Sequence, residues 1–116
     1  MNTTKRILIF DNNLDNGLTI KVLLKKNGYE VSNSINQQDC IKKLKKSKPD
    51  LFLIDAMMPR EKILKTAIKI KGLKIIYLIT DESEKEHIKL YKYVVGFINE
   101  PRDINSFLNK IKEFLK

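Results

Sequence analysis

The sequence predicts an α/β domain with a doubly wound parallel sheet of five strands in the order 2-1-3-4-5, and with five helices. Several runs, such as Leu51–Ile54 and Ile75–Ile79, are apolar at every position, which is typical of strands buried on both faces. Segments with apolar residues at helical spacing alternate with these runs throughout the chain. Strict alternation favours parallel strands joined by right-handed crossovers.

The predicted elements follow one another without a break or a repeat. Strands are expected over residues 7–10, 29–31, 51–54, 75–79 and 94–98. Helices are expected after Asn13, after Asn36, from Pro59 as far as Gly72, over 81–93 with Ile88 and Tyr91 facing inward, and from 104 onward. Asn13 and Asn36 are suited to capping the helices that follow them, and Gly28 is suited to the left-handed position that ends the first helix.

The composition indicates one globular domain with a basic surface. At 116 residues the chain has room for one core, and we expect one domain over residues 1–116. The formal net charge of +9 attracts anionic partners in general, but the lysines are spread along helix faces, as on a solvated surface. No helix-turn-helix, zinc or aromatic RNA-binding signature is present, so nucleic acid is not the expected partner.

The cysteine and hydropathy patterns favour the cytoplasm. Cys40 is the only cysteine, which excludes an internal disulfide and fits a reducing compartment. Its spacing to Ile41 and Leu44 predicts a core position in a helix and not a nucleophile. We expect neither a signal peptide nor a transmembrane helix, and hence no membrane partner.

Carboxylates follow two strands that the predicted order makes neighbours. Asp11 comes directly after the first strand and Asp55 directly after the third. In this strand order the switch point lies between those two strands, and ligands bind at the carboxyl ends of the strands there. Each residue alone could be a turn or capping aspartate, but the pair predicts a binding site at this edge.

The chain resembles the receiver domain of bacterial two-component response regulators, a flavodoxin-like fold of which CheY is an example. The most specific stretch is Pro49-Asp50-Leu51 through Ile54-Asp55-Ala56-Met57-Met58-Pro59. Weaker matches fall in the same order along the chain: Ile7–Asn12, Asn27-Gly28-Tyr29, Leu78-Ile79-Thr80 and Gly96-Phe97-Ile98-Asn99-Glu100-Pro101. The resemblance implies the same fold over the whole chain.

The resemblance also implies a role for each matching site residue. Asp55 matches the phosphoacceptor, which takes a phosphoryl group from a histidine kinase or phosphotransfer protein. Asp11 and Asn12 match the acidic pair that holds Mg²⁺ together with Asp55, and Met57 matches the residue whose main-chain carbonyl completes the metal site. The switch positions are Thr80, matching the hydroxyl residue that binds the phosphoryl group, and Phe97, matching the aromatic that follows its shift.

Other partners are expected from the family. These are a downstream protein and a second copy of the chain, meeting the surface of the last two helices and the fifth strand. Tyr91, Tyr93 and Phe114 are candidates for that surface, although core packing is also expected of at least one tyrosine.

Two substitutions depart from the family pattern. Asn12 stands where the second acid is expected. Its amide oxygen can still ligate Mg²⁺, but it carries no negative charge, so we expect a lower affinity for the metal. Glu100 stands where the family has lysine, so the pocket changes by two charge units if this side chain points inward and not to solvent. The loops after Pro59 and after Thr80 are also shorter than usual, and the Glu100–Pro101 bond is expected to be cis, as in the family.

Two functions therefore stay open. One is a receiver in which Asp55 is phosphorylated weakly with Mg²⁺, and the other is a pseudo-receiver that acts by protein interaction without phosphate or metal. An ordinary enzyme is not expected: His87 is the only histidine, and the chain has no Ser/His/Asp set, Gly-rich phosphate loop or HExxH motif.

Overall fold

The computed structural model describes residues 4–11, 13–58, 61–81, 83–87 and 93–116, and it confirms the predicted fold. The five strands form one parallel sheet in the order β2-β1-β3-β4-β5. The strands are β1 (Arg6–Phe10), β2 (Glu30–Asn33), β3 (Leu51–Asp55), β4 (Lys74–Ile79) and β5 (Val94–Asn99). The helices are α1 (Leu14–Lys26), α2 (Gln37–Ser47), α3 (Glu61–Ala67), α4 (Glu84–His87) and α5 (Ile104–Phe114).

Local signals in the sequence set most of the element boundaries. The side chain of Asn13 accepts a hydrogen bond from the N–H of Asn16 at the start of α1, and Asn36 caps α2 in the same way. Gly28 follows α1 with a φ of 91°, the left-handed conformation that glycine adopts without strain.

Two elements differ from their expected bounds. The strand expected over 29–31 is observed as β2, Glu30–Asn33. It ends two residues later than expected, because all four of its residues pair with β1. The helix expected to reach Gly72 ends at Ala67, and the chain continues in turns to Gly72. Of the helix expected over 81–93 the structure shows Glu84–His87 as helix; residues 82 and 88–92, which include Ile88 and Tyr91, lie outside the described residues.

Helices cover both faces of the sheet. One buried cluster packs α2 and α3 against the sheet and includes Cys40, Leu44, Ile63 and Leu64. The cluster on the other face packs α1 and α5 and includes Ile20 and Phe107. The central strands are buried on both faces, which explains why their sequences are apolar at every position. No helix among the described residues is long and apolar enough to cross a membrane.

The thiol of Cys40 is expected to be unreactive in the folded protein. Cys40 is fully buried, and burial raises the pKa of its thiol to about 11, so almost no thiolate is present at neutral pH. Ellman's reagent at pH 8 should therefore modify the native protein only as fast as the protein opens. The protein in guanidinium should react at once, and equal rates in both conditions would contradict the core placement.

Candidate functional site

Four residues of interest follow adjacent strands at one edge of the sheet. Phe10 pairs with Ile54, so the next residues along β1 and β3, Asp11 and Asp55, come out of the sheet side by side. Ile79 pairs with Asn99 on the other side, which brings Thr80 next to Glu100. The edge therefore carries the two aspartates, the threonine and the glutamate that the sequence singles out.

Asp11 is a buried carboxylate with one unsatisfied oxygen. Its side chain is 6% exposed, and its Oδ1 accepts a hydrogen bond from the N–H of Asn13 at 2.9 Å. Its Oδ2 has no hydrogen-bond partner among the described residues. Since a buried carboxylate oxygen is costly to leave unpaired, this atom calls for a cation or a proton.

The side chain of Glu100 is partly exposed and turns toward the pocket, which is the inward alternative of the two that the sequence left open. Its Oε2 accepts a hydrogen bond from the side-chain amide of Asn16 at 3.1 Å. Burial, followed by the neighbouring carboxylates Asp11, Asp55 and Glu84, raises the pKa of Glu100, together from 4.5 to about 7. Asp11, Asp55 and Glu100 thus place three acids together, whereas the family resemblance implies a lysine at the position of Glu100.

The expected cis bond before Pro101 is wrong, because the structure has no cis peptide in its described part, which includes Glu100 and Pro101. The trans isomer of an X–Pro bond is the lower in free energy unless packing favours cis. The N–H of Glu100 donates to the carbonyl of Ile79 at 2.9 Å, which continues the pairing of β4 with β5 as far as this residue.

Asp55 is half-buried at the end of β3 and is held by the backbone that follows it. Its Oδ1 accepts a hydrogen bond from the N–H of Met57 at 2.9 Å. The side chain of Met57 is 62% exposed, so its main chain and not its side chain is the part that can serve the site. Asn12, the other expected metal ligand, lies outside the described residues, as do Pro59 and Arg60.

The acids do not form a closed metal cluster. Among the described residues, no group of three or more histidine, cysteine, aspartate or glutamate side chains is arranged to hold a metal ion. The described part of the pocket therefore offers the carboxylate oxygens of Asp11 and Asp55 at neighbouring strand ends, without a closed set of ligands. Oxygen ligands of this kind suit Mg²⁺, which keeps several waters and needs few protein groups.

Thr80 is already engaged by another carboxylate. Glu84 accepts hydrogen bonds from the N–H of Thr80 at 2.6 Å, from its hydroxyl at 3.1 Å, and from the N–H of Asp81 at 3.1 Å. The bond to Asp81 is one half of a capping box at the start of α4. Arg102 also donates to the carbonyl of Thr80 at 3.3 Å, which brings a positive charge to the rim.

Replacing Glu84 with alanine should loosen this loop. We expect a loss of about 1 kcal/mol in the free energy of unfolding, the usual effect of removing a helix cap. Urea denaturation would measure it, with Glu113→Ala, an exposed glutamate on α5, as the control that should change little. Equal stability of the Glu84→Ala variant and wild type would contradict the contacts described.

Phe97 lies between the pocket and a neighbouring groove. Its ring is partly buried and packs against Tyr77, with ring centroids 5.8 Å apart and planes tilted by 53°. The ammonium of Lys85 lies 5.7 Å from the centre of the Phe97 ring, within range of a cation–π contact. A groove of about 510 Å³ is lined by Thr80, Phe97 and Glu100 among others. Asp11 and Asp55 do not line this groove.

The candidate surface residues separate into two kinds. Tyr93 is 47% exposed, and Val95 and Ile104 are exposed by more than half. Phe114 instead packs against the buried cluster under α1 and α5 and lies close to Gly96. Tyr91 lies outside the described residues.

Two residues of this site, Glu84 and Asn16, are not among those expected from the sequence. Glu84 follows Asp81 at the spacing of a capping box, a signal that was present in the sequence. Asn16 gave no such signal, because its partner Glu100 is 84 residues away in the chain.

Three solved structures with a similar fold are response regulators or receiver domains. A CheY-like response regulator receiver domain protein from Methanospirillum hungatei JF-1 has 28% identity and a TM-score of 0.81, covering 97% of this chain and 94% of that one. Response regulator TrrA from Thermotoga maritima, in complex with Mg²⁺-BeF, has 25% identity and the same TM-score, covering 97% and 100%. The receiver domain of a sensor histidine kinase from Pseudomonas aeruginosa PAO1, with a magnesium ion coordinated in its active-site cleft, has 16% identity and a TM-score of 0.75, covering 97% and 98%.

The sequence itself matches one family over nearly all of its length. Residues 7–112 match the family of response regulator receiver domains. The match covers β2 to β5, all of β1 except Arg6, and every residue of the pocket described above. The chain therefore belongs to the response regulator receiver domain family, as its resemblance to that family indicates.

Proposed function

We propose that Asp55 accepts a phosphoryl group from a histidine kinase or phosphotransfer protein, and that Glu100 makes this reaction slow. The observation that carries the proposal is the position of Asp55 beside Asp11 at adjacent strand ends, with the carboxylate of Glu100 turned toward both. Asp11 and Asp55 together are suited to phosphoryl transfer, whereas the negative charge of Glu100 opposes it.

Phosphoryl transfer requires mainly that the carboxylate of Asp55 is ionised and correctly placed. One of its carboxylate oxygens would bond to phosphorus while the bond from phosphorus to the donor breaks. The leaving group, a histidine nitrogen in the kinase or acetate in acetyl phosphate, keeps the electron pair. Negative charge spreads over the transferring oxygens, so nearby positive charge helps and nearby carboxylates hinder.

A divalent cation fits this pocket, though weakly. The unpaired and buried Oδ2 of Asp11 is the observation in favour of it, and Asp55, the carbonyl of Met57 and Asn12 would complete the protein ligands. Mg²⁺ bound there would neutralise charge on the carboxylate and phosphoryl oxygens. Because Asn12 is uncharged, we expect weaker binding than in receivers with two acids at this place.

The response would begin at Thr80. Its hydroxyl donates to Glu84, so a phosphoryl group on Asp55 competes with that carboxylate for the same donor. A change of partner at Thr80 would move the loop before α4 and the neighbouring Phe97, which lines the same groove. The exposed side chains of Tyr93, Val95 and Ile104 would then meet a downstream protein or a second copy of the chain.

The second candidate is a pseudo-receiver that signals without phosphate or metal. Two contacts favour it: Glu100 lies against Asp11, where it competes with a cation, and Glu84 already satisfies Thr80. In this case the protein would act through its surface alone, in one conformation.

Intact-mass analysis distinguishes the two candidates. Wild type and Asp55→Asn would be incubated with acetyl phosphate and Mg²⁺. The proposal predicts a slow, base-labile gain of about 80 Da, one phosphoryl group, in wild type alone. No gain after prolonged incubation, in a protein shown to be folded, would favour the pseudo-receiver; an equal gain in both proteins would exclude Asp55 as the acceptor.

A further inference from the structure

The lysines of α2 and α3 form one continuous basic surface. The two helices pack side by side on the same face of the sheet, as their shared buried cluster shows. Residues 37–48 and 61–71, which we call the lysine face, contain nine lysines but only two acids, Asp39 and Glu61. Of the chain's net charge of +9, this face therefore carries +7.

Most of these charges point to solvent. Eight of the nine lysines are exposed: Lys42, Lys45, Lys46, Lys48, Lys62, Lys65, Lys69 and Lys71. The ninth, Lys43, is half-buried and pairs with Asp39 at 3.1 Å. The helices on the opposite face, α1 and α5, carry five lysines and two acids, or +3. Net charge is thus concentrated on one side of the molecule.

The lysine face has no apolar anchor among its described residues. All the large exposed hydrophobic side chains that the structure describes lie elsewhere, and the face exposes no aromatic side chain. Protein interfaces are depleted of lysine and depend on aromatic and aliphatic anchors. Stable binding to a membrane surface usually needs an inserted apolar group or an acyl chain in addition to charge. Contacts to a nucleic-acid backbone need neither, because lysine ammonium groups bind phosphates directly.

We propose that the lysine face binds duplex nucleic acid through the phosphate backbone, without reading its sequence. The lysines lie close together: Lys42 and Lys46 are about 6 Å apart along α2, Lys62 and Lys65 are about 5 Å apart along α3, and the two helix axes lie about 8–10 Å apart. A duplex carries one negative charge per about 1.7 Å of its axis, so several phosphates face a surface of this size. This reverses the sequence-based expectation, in which the lysines spread along helix faces form a solvated surface and nucleic acid is not a partner.

Two variants of equal net charge test the proposal. In the first, Lys42, Lys45, Lys46 and Lys69 of the lysine face become glutamine. In the matched control, Lys25, Lys26, Lys110 and Lys112, which are exposed on α1 and α5, become glutamine. Each variant loses four charges, so attraction by net charge alone would weaken both equally.

Fluorescence anisotropy with a labelled duplex of about 20 base pairs, between about 50 and 200 mM salt, is the measurement. Wild type should bind with a salt-dependence slope of about −4 to −5. The lysine-face variant should lose about 100-fold in affinity at low salt, whereas the control variant should lose less than about threefold. Four lysine-to-arginine changes on the face should keep the binding, because charge and reach are retained.

Three results would overturn the proposal. The first is an equal loss in both glutamine variants, and the second is no binding of wild type to the duplex at low salt. The third is binding to vesicles of phosphatidylcholine with phosphatidylserine but not to the duplex. Circular dichroism of each variant would show that it is folded.

Discussion

Glu100→Lys is expected to raise the rate of phosphorylation at Asp55 by acetyl phosphate at least about tenfold. The change replaces a carboxylate that faces Asp11 and Asp55 with an ammonium group. Two like charges about 5 Å apart repel by about 3 kcal/mol at an effective dielectric of 20, and each 1.4 kcal/mol corresponds to a factor of ten in rate. Even a partial removal of that repulsion gives a measurable gain.

Glu100→Gln separates the loss of the negative charge from the gain of a positive one. It keeps an oxygen that can accept from Asn16, and we expect a rate between those of wild type and Glu100→Lys. The phosphorylation rate of each protein would be followed by intact mass at a fixed concentration of acetyl phosphate and Mg²⁺. The controls are the same proteins with Asp55→Asn added, which should not be labelled. If all three proteins are labelled at one rate, Glu100 does not influence the reaction.

Glu100→Gln should also be more stable than wild type above neutral pH. The pKa of Glu100 is raised to about 7 in the folded protein from an ordinary 4.5, so the folded state favours the protonated side chain. The stabilisation is therefore fully present below about pH 4.5 and is lost as the pH rises to about 7. Because Glu100 is partly exposed and solvent screens its charge, we expect a difference of about 1 kcal/mol at pH 8.

Urea denaturation of both proteins at pH 5 and pH 8 measures this effect. The other carboxyl groups titrate in both proteins, so the difference between wild type and Glu100→Gln isolates the one side chain. It should be small at pH 5 and favour the glutamine at pH 8. The same difference at the two pH values would mean that Glu100 ionises freely in the folded protein.

The sequence was sufficient for the architecture because the decisive signals are local. Continuous apolar runs such as Leu51–Ile54 mark strands buried on both faces, and asparagines at helix starts mark the caps. Strand order then placed Asp11 beside Asp55 without any knowledge of side-chain contacts, since parallel strands end at a common edge.

What the sequence could not supply depends on packing between distant segments. The direction of Glu100 is decided by Asn16, which lies on another element and reaches it only in the folded chain. The isomer of the bond before Pro101 is set by the loop as a whole, since the two isomers differ by only about 0.5–1 kcal/mol. The concentration of lysines on one face likewise emerges only when α2 and α3 pack together.

An NMR titration of the Glu100 side-chain carboxyl in wild type and in Asp11→Asn tests most directly the placement of Glu100 in the pocket against Asp11. With this placement we expect a midpoint near pH 7 in wild type, in line with the raised pKa, and a lower midpoint once the charge of Asp11 is removed. A midpoint near 4.5 in wild type, unchanged in Asp11→Asn, would contradict it.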